Sequence, residues 1–401
     1  MIDLRCIHSY KGLRVANGGY VSPCCYYDES TPFKDDSGNI IKTDTHTIEE
    51  MMNNSDRGKL IKDLENGVYH TGCKRCWDDE KNSGKSKRIN DNERFHLDSN
   101  IELKYLELNL GNTCNLACRM CAVGASIKWY NEHRMIHDSA GGHSDDTVYK
   151  NWVKEYYKSY EDTSIFWDEL KKSLSNVIHI DMYGGEPMLV KKQWETLKNS
   201  IELGYSKNQE LHFNTNGTIF KQEYIDILKE FKKVVISFSI DAINDRFNYL
   251  RHHGDWKKVK SNIESWLKHK SEKIEFDVAV TVTNLNIYYL DELIDWCLSM
   301  DLNPYFIDVS WPDFYAPSNL PIFVKNSINK KFDIYLYKNN IPSNIVNGIE
   351  GLLNSMNSKE FNKTLWTTFL IKNNLLDKSR NENFQKTFKE LNELITKNSV
   401  L

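Results

Sequence analysis

The sequence predicts an α/β protein: a partial (β/α)6 TIM barrel with a small cysteine-rich module before it and a helical extension after it. Three observations carry this. From Tyr105 to Val309, apolar or β-branched runs of strand length alternate with helical patterns, the signature of successive parallel β/α units. Eight of the nine cysteines fall within the first 121 residues, in close groups. After Pro317 the pattern becomes helical and polar. The expected divisions are 1–95, 100–315 and 316–401.

In the first division, Leu13 and Val15 alternate before Asn17-Gly18-Gly19, with Tyr20 and Val21 beyond. This reads as a hairpin closing on Pro23-Cys24, which brings Cys6 near Cys24. Thr47 and Glu50 make a capping box, and a helical turn carrying Leu60, Ile61 and Leu64 stops at Gly67, delivering the chain to Cys73. Such a module has little apolar surface of its own, so a metal centre is expected to staple it. Lys81 to Arg94, rich in Lys, Asn and Asp, reads as a solvated linker.

In the second division the expected strands are 105–110, 177–183, 211–214, 234–240, 276–282 and 305–309, with helices over 194–203, 224–231, 256–266 and 290–298. Parallel units of this kind place a site at the C-terminal ends of the strands. The long spacing after Cys121 predicts a helical excursion over 127–160. In the third division Phe332, Ile349, Leu352, Leu365, Phe369 and Leu391 are the expected anchors.

A chain of 401 residues with 40% hydrophobic content can bury a full core. Its charge of −4 comes from mixed acids and bases, so nucleic acid is not indicated as a partner. No apolar run approaches the ~20 residues that cross a bilayer, and the first residues lack the layout of an export signal. A cytoplasmic protein with no membrane partner is expected. In that reducing setting, tight CxxC spacings favour thiolate ligation over disulfides.

Cys114-Asn-Leu-Ala-Cys118-Arg-Met-Cys121 directly follows the first barrel strand. Three thiolates satisfy three irons of a [4Fe-4S] cube and leave the fourth open, whereas a structural zinc wants four ligands and no nearby residue supplies a fourth. Gly184-Gly185-Glu186-Pro187 ends the second strand; its glycines permit close backbone approach and Glu186 offers an anionic acceptor at what reads as an exposed strand end. These motifs, from 105 to about 310, resemble the radical S-adenosylmethionine (SAM) superfamily. The resemblance implies a [4Fe-4S] cluster on Cys114, Cys118 and Cys121 and a SAM amino group held at Gly184, Gly185, Glu186 and Pro187. It further implies polar contacts to the cofactor from Asn216, Ser239 and Asp241, a carboxylate contact from Arg251, and a backbone contact to adenine at Met120, where many relatives carry an aromatic.

Cys6, then Gly18-Gly19-Tyr-Val-Ser-Pro-Cys24-Cys25, then Cys73-Lys-Arg-Cys76 resembles the SPASM or shorter twitch domain, here ahead of the barrel instead of behind it. That resemblance implies one auxiliary Fe-S cluster on Cys6, Cys24, Cys73 and Cys76, with Cys25 an alternative ligand. The same four thiols would also suit a zinc ribbon. Together the resemblances imply reductive cleavage of SAM to a 5′-deoxyadenosyl radical, fed by a low-potential donor such as flavodoxin or ferredoxin. The radical would act on a peptide or protein side chain, or alternatively on a small molecule such as a sugar or nucleotide. A non-enzymatic Fe-S or zinc-binding module is the reading from another class. Tyr183 and Asp308 end strands and either touch substrate or pack, and Cys297, on a helix beside Trp296, reads as a small core residue.

Overall fold

A computed structural model describes residues 3–109, 111–138, 164–309 and 311–397. In chain order the strands are β1 (Gly12–Val15), β2 (Val21–Ser22), β3 (Tyr105–Asn109), β4 (Ala117–Cys118), β5 (His179–Tyr183), β6 (Glu210–Thr215), β7 (Lys233–Ser239), β8 (Arg251–His252), β9 (Ile274–Val282) and β10 (Asn303–Asp308). The helices are α1 (Ile7–Lys11), α2 (Ile48–Met52), α3 (Ser55–Glu65), α4 (Lys74–Ser83), α5 (Lys87–Arg94), α6 (Tyr130–Asp138), α7 (Ser164–Ser173), α8 (Lys191–Glu202), α9 (Gln222–Leu228), α10 (Asn244–Leu250), α11 (Trp256–Leu267), α12 (Leu290–Ser299), α13 (Ile322–Lys338), α14 (Ser343–Asn357), α15 (Lys363–Arg380), α16 (Phe384–Thr387) and α17 (Lys389–Lys397).

The main sheet runs β10-β9-β7-β6-β5-β3-β1-β2, parallel except for the last pair. All six barrel strands expected from the sequence form in this order; Leu110 and the excursion beyond residue 138 lie outside the described residues. Alternation along each strand separates two faces. Leu106, Ile180, Phe213, Ile236 and Val280 are fully buried in the main hydrophobic core. The opposite face presents Tyr105, Glu107, His179, Asp181, Tyr183, His212 and Asn214 to a polar lumen of about 610 Å³.

The expected hairpin is present, with Arg14 opposite Ser22 and Val15 opposite Val21. It does not stand apart from the barrel. β1 extends the barrel sheet in parallel with β3, Gly12 beside Tyr105 and Arg14 beside Glu107. Leu13, Val15, Met51 and Leu60 join the same core as the barrel residues, so packing as well as any metal holds this region. The expected box at Thr47 and Glu50 caps α2, and α3 ends just before Gly67 at φ +71°.

One expectation is overturned. The stretch 81–94 is not a solvated linker: it ends α4 and forms α5, capped by Ser86, whose Oγ accepts from Ile89 N at 3.2 Å. Arg88 is buried and forks onto Glu80 at 2.8 and 2.9 Å, while Lys87 reaches Glu107 at 3.2 Å and Asp91 at 3.0 Å. The polar composition of α5 matches a polar lumen instead of water. Among the described residues, no helix is long and apolar enough to cross a membrane. The C-terminal extension is helical, with Phe332, Ile349, Leu352, Phe369 and Leu391 buried and Leu365 half-buried beside buried Trp366.

Candidate active site

The parallel strands aim their C-terminal ends at one face, and the cysteine triplet crosses it. Cys118 lies on β4, which pairs antiparallel with β8 so that Cys118 faces Arg251. Around it the loop is laced by Ile127 N to Asn112 O at 2.8 Å, Asn112 Nδ2 to Val123 O at 2.9 Å and Trp129 Nε1 to Cys118 O at 2.8 Å. Cys114, Cys118 and Cys121 lie within electrostatic reach of one another. N–H groups point at two of the sulfurs: Leu116 N stands 3.5 Å and Asn216 Nδ2 3.9 Å from Cys114 Sγ, and Arg251 Nη1 stands 3.7 Å from Cys118 Sγ. Burial pushes the Cys121 thiol up to about 11 and raises the other two, outweighing the opposing pull of the Arg251 guanidinium on all three. Three thiols on one loop, with donors aimed at the sulfurs, suit a cluster with an open iron.

Gly184 and Gly185 adopt φ +79° and +52°, and a Cβ would fall 1.8 Å from Asn109 Oδ1 at the first and 2.5 Å from Thr113 O at the second. Only glycine allows this turn to lie against the residue preceding Cys114. Glu186 N then donates to Thr113 O at 2.8 Å. The carboxylate of Glu186 is not at an exposed strand end as the sequence suggested; it is 1% exposed. Its Oε1 accepts from Thr215 Oγ1 at 2.8 Å and Met188 N at 3.1 Å, and its Oε2 from Asn216 N at 2.7 Å. Burial raises its pKa against these donors. Pro187, also buried, opens a short 3-10 turn.

The remaining expected residues gather on the same face. Asn216 bonds Asn115 Oδ1 at 3.0 Å. Buried Asp241 accepts from Thr281 N at 2.8 Å and pairs with buried Arg251 at 2.7 Å. Ser239 is half-buried at the end of β7. Met120 lines a pocket of about 300 Å³ with Cys118, Cys121, Arg251, Thr281, Ile307, Asp308 and Trp311. Cys297 is fully buried on α12, as expected of a core residue.

The second cysteine group stands at the other end of the strands. Cys6 precedes α1, which runs into Gly12 beside Tyr105, and Pro23 O lies against Gly12. Cys6 feels Cys76, Cys24 feels Cys6, and Cys73 feels both Cys6 and Cys76. Burial lifts the Cys6 thiol to about 12. Among the described residues no three His, Cys, Asp or Glu side chains crowd round one point as ligands of a single ion do, whereas thiols at the corners of an iron–sulfur cube stand further apart.

Sequence reasoning missed the lumen between the two groups. Glu107, 1% exposed, accepts from Cys25 N at 2.6 Å and Tyr183 Oη at 3.3 Å; Arg14 Nε donates to Tyr183 Oη at 3.0 Å. Burial alone would raise Asp181, yet His179 at 3.3 Å and His212 at 2.8 Å hold it well below the usual carboxylate range. The signal was the polar residue at every second position of β5 and β6, an alternation that marks a polar inner face.

Residues 108–297 match the sequence model of the Radical SAM superfamily. The chain carries a radical SAM domain. The matched stretch of this radical SAM domain contains the triplet, residues 184–187, Asn216, Ser239, Asp241 and Arg251, and leaves Cys6 to Cys76 outside it. An uncharacterised protein of Methanocaldococcus jannaschii is 25% identical over 258 residues, 59% of this chain and 79% of that protein. Among solved structures, native anSMEcpe with bound AdoMet is 20% identical with a TM-score of 0.40, covering 59% of this chain and 63% of that one. SuiB of Streptococcus suis bound to S-adenosylmethionine is 14% identical with a TM-score of 0.36, covering 73% and 57%. This chain thus spans less than two thirds of the length of either solved structure.

Proposed function

We propose that this protein is a radical SAM enzyme that abstracts hydrogen from a peptide or protein side chain. The observation that carries the reading is the triplet Cys114, Cys118 and Cys121 on a loop at the C-terminal face, with the turn at Gly184 and Gly185 laid against Thr113. A [4Fe-4S] cluster bound by the three thiols would supply the electron that splits SAM into methionine and a 5′-deoxyadenosyl radical. The chain's own part is binding and exclusion of water. Backbone at Gly184, Gly185 and Pro187, with Glu186 and Asn216, forms the cradle for the amino end; Arg251, held by Asp241, sets a cation beside Cys118; Met120 lines the pocket beside the triplet, and Ser239, at the end of β7, is assigned a polar contact to the cofactor. Cys6, Cys24, Cys73 and Cys76 are the thiols we assign to an auxiliary Fe-S cluster. The peptide substrate rests on the likeness of that cysteine pattern to the SPASM and twitch arrangement.

Protein reconstituted anaerobically with iron and sulfide is expected to form 5′-deoxyadenosine from SAM under a low-potential reductant, even without substrate. Replacing Cys114, Cys118 and Cys121 together with Ala is expected to abolish it, read by mass spectrometry. Undiminished 5′-deoxyadenosine from the triple variant would overturn the assignment.

A further inference from the structure

The N-terminal hairpin brings a second cavity, of about 460 Å³, up to the cofactor face. Arg14, Asn17, Tyr20, Tyr27, Glu29 and Asn109 are among the residues lining it. Two of them touch the motifs of the candidate site. Asn17 Nδ2 donates to Gly124 O at 2.7 Å, just past Cys121, and Asn109 ends β3 with its Oδ1 only 1.8 Å from where a Cβ on Gly184 would stand. Tyr183, bonded to Arg14, lines the lumen instead, so cavity and lumen are neighbours with separate linings.

Arg14 is 5% exposed. Burial works against its charge, and Tyr183 and Glu29 together hold the guanidinium protonated. A buried cation is normally matched by a carboxylate that shares its burial. Among the described residues the ion pair of Arg14 is with Glu29 at 2.5 Å, and the Glu29 side chain is 67% exposed. Nη1 of the same guanidinium has no hydrogen-bond partner among the described residues. The turn that carries Glu29 is fastened without its side chain, by Asp28 N to Gly72 O at 2.9 Å, Ser30 N to Asp28 Oδ1 at 2.9 Å and Thr31 N to Asp28 O at 3.1 Å. Glu29 can therefore swing into water while the turn stays. That leaves a planar fork with two open arms, the geometry that grips both oxygens of a carboxylate.

Resting on the peptide substrate of the proposed function, we propose that this cavity recognises a carboxylate of that peptide, from an acidic side chain or its C-terminus, which displaces Glu29 and binds Arg14. Glu29 is the chain's own placeholder: it shows that a carboxylate fits the fork, and it competes with the ligand. Asp28 and Glu29 line the same cavity, a setting that repels a phosphate dianion more than the single charge of a carboxylate. Tyr20 and Ile40 give the stem of the ligand an apolar wall. Because the cavity abuts Gly184 and Gly124, a residue anchored there sets the adjoining stretch of peptide at the C-terminal ends of the strands. Arg14 is thus a specificity residue. It selects which peptides are held and in what register, and takes no part in breaking the C–H bond.

The test uses the full chain, reconstituted anaerobically, and three peptides: a capped Ala-Glu-Ala, its capped Ala-Gln-Ala counterpart, and Ala-Ala-Ala with a free C-terminal carboxylate. Binding is read by ligand-observed NMR. At least one carboxylate peptide is expected to bind about tenfold or more tightly than the Gln peptide, and the tighter of the two names the source of the carboxylate. Glu29→Gln, a change on an exposed side chain, is expected to tighten that peptide by about two- to fivefold, because it removes the competitor. Arg14→Met is expected to lose the preference for a carboxylate, and Arg14→Lys, which keeps the charge without the fork, to retain part of it. If Arg14→Met does not fold, the sign of the Glu29→Gln effect decides: an ion pair that serves only the fold predicts no tightening. Equal binding of all three peptides, or carboxylate binding unchanged or weakened by Glu29→Gln, would overturn the inference. Formation of 5′-deoxyadenosine from SAM by the same preparation is measured separately. Its absence beside intact carboxylate binding would overturn the proposed function and leave the carboxylate site standing, whereas its presence without carboxylate binding would overturn the site alone.

Discussion

Glu186 holds three hydrogen bonds on two buried oxygens, to Met188 N, Thr215 Oγ1 and Asn216 N. It thereby ties the turn after β5 to the end of β6. Removing the carboxylate strands three donors, each costing about 1–3 kcal/mol where water cannot replace the acceptor. Glu186→Ala is therefore expected to lose several degrees of thermal stability even without cofactor, and Glu186→Gln to recover much of it. Melting curves of the metal-free protein check this; a melting temperature unchanged by Glu186→Ala would show that the carboxylate does not fasten the turn. The motif itself was legible because Gly184 to Pro187 are consecutive and two glycines before an acid mark a special turn. The burial of Glu186 was not, because it depends on Thr113, 73 residues earlier, and Asn216, 30 residues later, folding over it. Spacing announces a motif without saying what lies on top of it.

At the scale of elements, local pattern and local structure agree wherever the pattern reflects an apolar face. The six barrel strands and the first hairpin were legible for that reason. Helix α5 was not, because its partners are polar. Arg88 spans Glu80 and the carbonyls of Asp3 and Arg5, Asn92 bonds Arg5 O and Ile7 N, and Asp91 bonds His8 at 2.6 Å. The helix thus stitches the stretch bearing Cys6 to the lumen. Arg88→Ala deletes the largest of these links, including a pair largely shielded from water, and is expected to cost about 2–3 kcal/mol. Limited trypsin digestion is the direct readout, with cleavage at Lys85, Lys87 or Arg94 accelerated in the variant. Digestion at the wild-type rate would mean that packing alone keeps α5 in place.

Across the whole molecule, the radical SAM domain is closed by a part of the chain that the family match does not reach. Arg119, inside the cysteine triplet, is 1% exposed. Its guanidinium donates to Asn373 Oδ1 at 2.7 Å, Asp377 at 2.6 Å and Glu382 at 2.5 Å, and lies 3.6 Å over the Tyr249 ring. Asn373 and Asp377 belong to α15, and Glu382 also bonds His252 of β8 at 2.6 Å, next to Arg251, the residue that faces Cys118. The C-terminal extension and the cluster loop therefore share one buried charge over a separation of more than 250 residues, which no local pattern could announce. Replacing Asp377 and Glu382 together with Ala leaves that charge unpaired, and breaking a buried pair from one side costs about 3–5 kcal/mol. The charge can escape only if the loop moves. The double variant is expected to retain less iron at Cys114, Cys118 and Cys121 after reconstitution and to bind SAM more weakly. Arg119→Met, which removes the charge and keeps much of the volume, should be milder, and adding it to the double variant should restore iron to the Arg119→Met level. Iron analysis and the electron paramagnetic resonance signal of the reduced protein, with and without SAM, read out the loop directly. If the double variant matches wild type in both, the extension packs on the barrel without setting the loop.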